Sequence, residues 1–145
     1  MTAEPVRRIL AVDFGDARTG LAATDFTGTI AVPLPRIDAR DEAVVIAAIA
    51  EVVAERSTQV VVVGMPLGID GTTNARATKT AAFRDRLAKS LRIPVDAVDE
   101  SSSTDEAHER LKAGGLKASR RKELADSVAA LVILERYRDQ LRRSR

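Results

Sequence analysis

The sequence predicts an α/β fold with a five-stranded mixed sheet, formed by an antiparallel meander and then parallel strands, flanked by helices. Three strand-like runs, at 8–12, 21–24 and 30–37, are separated only by short glycine-containing turns, which favours an antiparallel meander. Two later runs, at 59–64 and 95–98, alternate with helical patterns. That alternation is typical of parallel strands joined by helical crossovers. At 145 residues, the chain is most simply one domain spanning 1–145.

The residues of each strand predict where that strand lies within the sheet. The apolar run 9–12 ends at a single carboxylate, Asp13. Pro33 and Pro35 remove two backbone donors from the third strand, so we expect that strand at a sheet edge. The valines at 60–63 have no polar alternation, which predicts a strand buried on both faces.

The helices are predicted from apolar periodicity and from capping residues. A basic loop over 116–122 is expected to precede the last of them. Four helices are expected: one after Asp38 or Asp41 that runs to about residue 56, one over 75–91, one over 103–113 and one from near Glu123.

Composition excludes several classes of protein. The absence of cysteine rules out disulfides and thiolate zinc sites. No apolar run approaches the roughly 18 residues that span a membrane, and the N-terminus lacks the apolar region of a signal peptide. We therefore expect a cytoplasmic protein.

The charge is distributed unevenly along the chain. Residues 1–109 carry a net charge of −5, whereas residues 110–145 carry +7. This asymmetry indicates a polyanionic partner for the C-terminal part, although a solvated helical surface would have the same composition.

Three carboxylates occupy unusual positions. Asp13 and Glu100 follow the first and fifth strands, and Asp126 lies among apolar residues early in the last helix. The carboxyl ends of parallel strands share one sheet edge, so Asp13 and Glu100 should lie close together, with Asp126 added if the last helix docks there. Such a set would repel unless cations neutralised it, which suits Mg²⁺ or Mn²⁺. Each acid also has a purely structural alternative. Asp13 accepts hydrogen bonds from loop amides, Glu100 is an exposed loop residue, and Asp126 stabilises the N-terminus of its helix electrostatically.

Four motifs follow one another along the chain and cover nearly all of it. The first begins at Asp13-Phe14-Gly15, and the third is Val98-Asp99-Glu100. The others are Val63-Gly64-Met65-Pro66-Leu67 with Asp70-Gly71-Thr72, and the helix that begins Asp126-Ser127-Val128. Together, in this order, they resemble the motifs of the bacterial YqgF/RuvX family, which has an RNase H-like fold.

The resemblance implies a metal-dependent nuclease. Asp13, Glu100 and Asp126 match the family's catalytic acids, and two Mg²⁺ or Mn²⁺ ions are expected between them. Members of the family are described as nucleases that process the 5′ end of precursor 16S ribosomal RNA, whereas others are assigned to Holliday junction resolution. Asp16 and Ser101 depart from the pattern, since threonine and arginine are usual there. Both departures should weaken the local attraction for phosphate.

Basic side chains are candidates for holding the nucleic acid by its phosphates. The stretch 110–122 has six basic and no acidic residues, and Arg18 lies between the glycines of the first motif. The alternative for Arg18 is an ordinary surface charge. The candidates are Arg18, Lys112, Lys117, Arg120, Arg121 and Lys122.

Two other classes of function compete with a nuclease. The first motif is similar to the phosphate loop of actin-like kinases, but those proteins need two such domains, which 145 residues cannot supply. A non-catalytic nucleic-acid-binding module is the other class, and the presence of all three acids argues against it. RNA and branched DNA stay open as substrates. Cleavage of a four-way junction would be most natural for a homodimer, since two symmetric nicks need two sites.

Overall fold

The computed structural model describes residues 5–6, 8–66, 74–100, 109 and 118–143. Its strands are β1 Ile9–Asp13, β2 Arg18–Thr24, β3 Ala31–Asp38, β4 Val60–Met65 and β5 Val95–Asp99. They form one sheet in the order β3-β2-β1-β4-β5, where β1–β3 form an antiparallel meander and β4 and β5 run parallel to β1. The predicted mixed sheet is confirmed, and β3, with its two prolines, is at the edge.

Helices cover both faces of the sheet. α1 (Glu42–Arg56) and α2 (Ala75–Ser90) pack on one face, against a core that includes Leu10, Phe83 and Leu87. α1 begins at the cap Asp41, whose carboxylate accepts the Ala43 N–H at 2.9 Å. The capping residue of α2 is Asn74, whose side chain accepts the Ala77 N–H at 2.8 Å.

The final described helix, α3 (Ala118–Arg143), covers the opposite face. Its side chains Ala130, Ile133 and Leu134 pack on alternate residues of the strands, including Ile9 and Ala11 of β1. Because the side chains of a strand alternate, Asp13 continues this same row at the carboxyl end of β1. The acid therefore lies on the sheet face that α3 covers.

The start of α3 corrects one prediction. The basic loop was expected to continue to Lys122 and the helix to begin near Glu123, but the helix begins at Ala118. Alanine, arginine, lysine and glutamate are all good helix formers, so this basic segment continues the helix. Arg120, Arg121 and Lys122 therefore belong to its first turns, and the helix runs to Arg143.

Some predictions fall outside the described residues: most of the helix over 103–113, the part of the second motif that includes Asp70-Gly71-Thr72, Ser101, Lys112 and Lys117, together with the side chains of Arg120, Arg121 and Lys122. Within the described part of the chain, no helix is long and apolar enough to cross a lipid bilayer.

Candidate active site

Glu100 is brought beside Asp13 by the parallel strands. It follows β5, and its backbone N–H bonds the Met65 carbonyl at 3.0 Å, which continues the pairing with β4 beyond the strand. The residue is only 8% exposed, so the alternative of an exposed loop residue is excluded. The carboxyl groups of Asp13 and Glu100 are hydrogen-bonded to each other. The alternative for Asp13, a mere bond to loop amides, does not describe this geometry.

Burial dominates the electrostatics of this carboxyl pair. It raises the pKa of Asp13, and the charge of Asp126 raises it further, whereas the bond to Glu100 and the charge of Arg76 act in the opposite direction. Burial, followed by the charge and hydrogen bond of Asp13, raises the pKa of Glu100 to about 9. Two carboxyl groups in contact share a proton readily, because two negative charges at this distance repel.

A glycine in β4 makes room for Glu100. A Cβ atom at Gly64 would lie 2.7 Å from Oε2 of Glu100 and 2.4 Å from Cδ1 of Ile133. Val63 pairs with Val12, so Gly64 lies next to Asp13 across the parallel strands. The missing side chain leaves space beside Asp13 that Glu100 occupies.

A second glycine, on the other side of Asp13, brings in the helix. Gly20 pairs directly with Asp13, and a Cβ atom there would lie 2.0 Å from the backbone oxygen of Asp126. The backbone of α3 thus reaches β2 at Asp126. Since Asp126 is the ninth residue of α3, it is too far from the helix N-terminus for that electrostatic role.

The carboxylate of Asp126 faces two arginines. Its Oδ2 lies 3.5 Å from Nη1 of Arg36 and 3.9 Å from Nε of Arg18, and its side chain is 30% exposed. Arg18, the first residue of β2, is therefore not an isolated surface charge. Among the residues that the structure describes, no three acidic or histidine side chains form a group arranged to hold a metal ion. The structure thus joins Asp13 and Glu100 directly, with Asp126 next to them but held by arginines.

Arg76 was not among the site residues predicted from the sequence. It lies in the first turn of α2, donates from Nη2 to the Phe14 carbonyl at 3.2 Å, and lowers the pKa of both Asp13 and Glu100. Phe14 also stacks on Phe83 in the middle of α2, with ring centroids 3.9 Å apart, which packs this helix against the loop after β1. In a sequence, an arginine shortly after the loop at a strand end only weakly indicates a functional site, because the direction of its side chain depends on how the helix packs.

The unusual Asp16 is paired within the structure. Its carboxylate accepts a hydrogen bond from Nζ of Lys79 on α2, and that bond lowers the pKa of Asp16. The negative charge that was expected to repel phosphate is thereby partly compensated by Lys79.

Two solved structures share the fold at low sequence identity. One is described as "T. thermophilus RuvC in complex with Holliday junction substrate", with a TM-score of 0.58 and 19% identity over 92% of this chain and 95% of that one. The other is Fowlpox virus resolvase in complex with Holliday junction DNA, with a TM-score of 0.55 and 13% identity over 92% and 98% of the two chains. The fold is therefore that of the RuvC-like resolvases, an RNase H-like fold.

A family model described as "RuvX: Holliday junction resolvase" matches residues 7–140. The chain belongs to this RuvX family, which confirms the resemblance found in the sequence. A protein of Synechococcus elongatus named "Putative pre-16S rRNA nuclease" is 37% identical over 97% of this chain and 95% of its own length. A protein of the same name from Chloroflexus aggregans is 40% identical over 92% and 94% of the two lengths. The family description and the names of the relatives support a nuclease.

Proposed function

We propose that this chain is a metal-dependent endonuclease that hydrolyses phosphodiester bonds in the 5′-end processing of precursor 16S ribosomal RNA. The observation that carries the proposal is the hydrogen-bonded pair of half-buried Asp13 and buried Glu100 at the sheet edge, with Asp126 beside it. The RNA substrate is supported by the names of the similar proteins. The proposal treats the 145 residues as one catalytic domain acting in the cytoplasm.

The acid pair fits a divalent cation in its chemistry. Two carboxyl groups held together in a buried place are stable with a shared proton or with a cation between them, and carboxylate oxygens are the ligands that Mg²⁺ and Mn²⁺ prefer. Asp13 and Glu100 would hold the metal, and Asp126 would become a third ligand by turning from Arg36 and Arg18. Bound as two ions, the metal would supply an activated water and stabilise the charge on phosphodiester oxygens.

The cations around the acids would position the substrate. Arg76 faces the acid pair, and the side chain of Arg18 is 47% exposed beside Asp126, so both can meet a phosphate that approaches the pair. Lys112, Lys117 and Arg120–Lys122 are proposed as more distant phosphate contacts on the basic segment. Contacts to phosphates add affinity but do not discriminate between base sequences.

A cleavage assay in Mg²⁺ or Mn²⁺ tests the proposal, with Asp13→Asn beside the wild type. Asp16→Asn is the matched control, since it makes the same change three residues away at an exposed acid outside the pair. We expect cleavage of a precursor 16S RNA fragment by the wild type and the control, and none by Asp13→Asn, which should still bind the RNA. Full cleavage by purified Asp13→Asn would contradict the assignment.

Metal binding is measured independently of cleavage. Mn²⁺ should raise the melting temperature of the wild type and of Asp16→Asn, and should have much less effect on Asp13→Asn. An equal rise in all three proteins would place the metal elsewhere.

The description of the family as Holliday junction resolvases favours a second candidate function. A four-way DNA junction should therefore be tested beside the RNA. Paired symmetric nicks in the junction, made by a homodimer, would favour a resolvase, whereas cleavage of RNA alone would favour RNA processing. Binding without cleavage of either substrate would favour the non-catalytic module.

A further inference from the structure

A cleft lies at the end of the sheet opposite to the acids. It has a volume of about 400 Å³ and lies between the N-terminal segment, the turn between β2 and β3, and the last turns of α3. Its lining includes Val6, Gly28, Arg138 and Arg142. The length of α3 sets the distance from the acids, because Arg138 and Arg142 follow Asp126 by 12 and 16 residues, or roughly 18 and 24 Å along a helix.

The turn beside the cleft exposes large apolar side chains. Phe26 is 67% exposed and Ile30 is 58% exposed, while Val6 nearby is 41% exposed. The turn itself is well ordered by its own bonds, because the Asp25 carboxylate accepts the N–H groups of Thr29 and Ile30 and the Thr27 hydroxyl. Phe26 is therefore an exposed ring on a firmly built turn.

Arginines lie around this turn and the cleft beside it. Arg138 donates from Nη2 to the carbonyls of Gly28 and Thr29 at 3.2 and 3.3 Å, so it is fixed to the same turn as Phe26. Arg56 donates to the Thr24 carbonyl at 3.3 Å, just before the turn. Arg142 bonds Asp139 at 3.2 Å, but both side chains are more than half exposed, and such pairs contribute little.

We propose that Phe26, Ile30, Arg138 and Arg142 form a second nucleic-acid-binding surface, the far-end surface, which holds a single-stranded part of the substrate away from the cleaved bond. An exposed aromatic ring beside arginines provides stacking for bases and contacts for phosphates, the two features of single-strand binding. Carbonyl-bound arginines keep their full positive charge, which suits a polyanion. This inference rests on the proposed action on nucleic acid.

The test compares two labelled oligouridylates, of 6 and 24 nucleotides, in binding assays that contain EDTA so that no cleavage occurs. A 24-mer is long enough to contact the acids and Arg142, roughly 24 Å away, at the same time, whereas a 6-mer gains little from contacting both. The double variant Phe26→Ala/Arg142→Ala should bind the 24-mer about fivefold or more weakly, which is the low end of the stacking contribution of one ring. Its salt slope for the 24-mer should fall by about 1, and its affinity for the 6-mer should fall less.

Val44→Ala/Lys89→Ala is the matched control. Val44 is 52% exposed on α1 and Lys89 is exposed on α2, so this pair removes one apolar side chain and one charge from the opposite face of the sheet. It should bind both oligonucleotides like the wild type. Equal binding of the 24-mer by the far-end variant and by this control would overturn the inference.

Two further readouts distinguish a nucleic-acid-binding surface from a protein interface, and binding from cleavage. A change of sedimentation mass in Phe26→Ala/Arg142→Ala, with unchanged affinity for the 24-mer, would overturn the inference in favour of a protein interface. Cleavage is assayed separately in Mg²⁺. If the wild type cleaves nothing while the far-end variant still loses affinity for the 24-mer, the proposed activity fails and the far-end surface stands.

Discussion

Replacing Gly20 with alanine tests how the fold positions Asp126. The added Cβ would lie 2.0 Å from the backbone oxygen and 2.5 Å from the backbone carbon of Asp126, where about 3.4 Å is an ordinary contact. Both atoms belong to the helix backbone, so no side chain can rotate away, and α3 must move by roughly 1 Å. Overpacking of this kind costs about 1–3 kcal/mol of unfolding free energy.

The same movement should reduce activity more than the loss of stability explains. A misplacement of about 1 Å at a catalytic group can lower the rate by about 100-fold. We therefore expect Gly20→Ala to melt about 3–10 °C lower, from the usual relation for domains of this size, and to cleave about 100-fold more slowly at a temperature where it is fully folded.

Leu87→Ala is the stability control for this prediction. Leu87 is fully buried in the core on the other face of the sheet, and its truncation should cost about 2–5 kcal/mol without moving α3. This variant should keep near-normal cleavage while folded. Wild-type cleavage by Gly20→Ala, or an equal loss in Leu87→Ala, would refute the idea that this close approach positions the acid.

Three further predictions concern Arg76, Tyr137 and the basic segment 120–122. Arg76→Ala should weaken RNA binding and slow cleavage about tenfold or more while the fold is retained, because it removes the cation that faces Glu100; unchanged cleavage kinetics would exclude a role for Arg76. Tyr137→Phe should lower the unfolding free energy by about 1 kcal/mol or more, because the hydroxyl bonds the Asp96 carboxylate at 2.5 Å. Burial and Asp96 raise the pKa of Tyr137, so this stabilisation is present below about pH 10 and is lost as the pH rises further, and equal wild-type and variant stability at pH 7 would contradict it. Replacing Arg120–Lys122 with alanines should weaken RNA binding and flatten its salt dependence, and an unchanged salt slope would show that this segment makes no phosphate contact.

The antiparallel meander and the edge position of β3 could be predicted because their signals are local. Pro33 and Pro35 exclude a central position for β3 wherever the rest of the chain goes. The short turns before and after β2 permit only antiparallel neighbours, and the parallel strands bring Asp13 and Glu100 to one sheet edge. The composition of the basic segment before Glu123 suggests a surface loop, whereas its residues are helix formers and continue α3.

The sequence by itself determined which residue types end the strands, and therefore that acids would gather at one edge of the sheet. Only the tertiary structure decided that Gly20 and Gly64 leave the space for Asp126 and Glu100, that Arg76 faces the acid pair, and that arginines hold Asp126. The physical reason is distance along the chain. The periodicity of a strand or helix indicates which of its own faces is buried. These contacts instead join residues many positions apart, and they arise only when α2 and α3 pack onto opposite faces of the sheet.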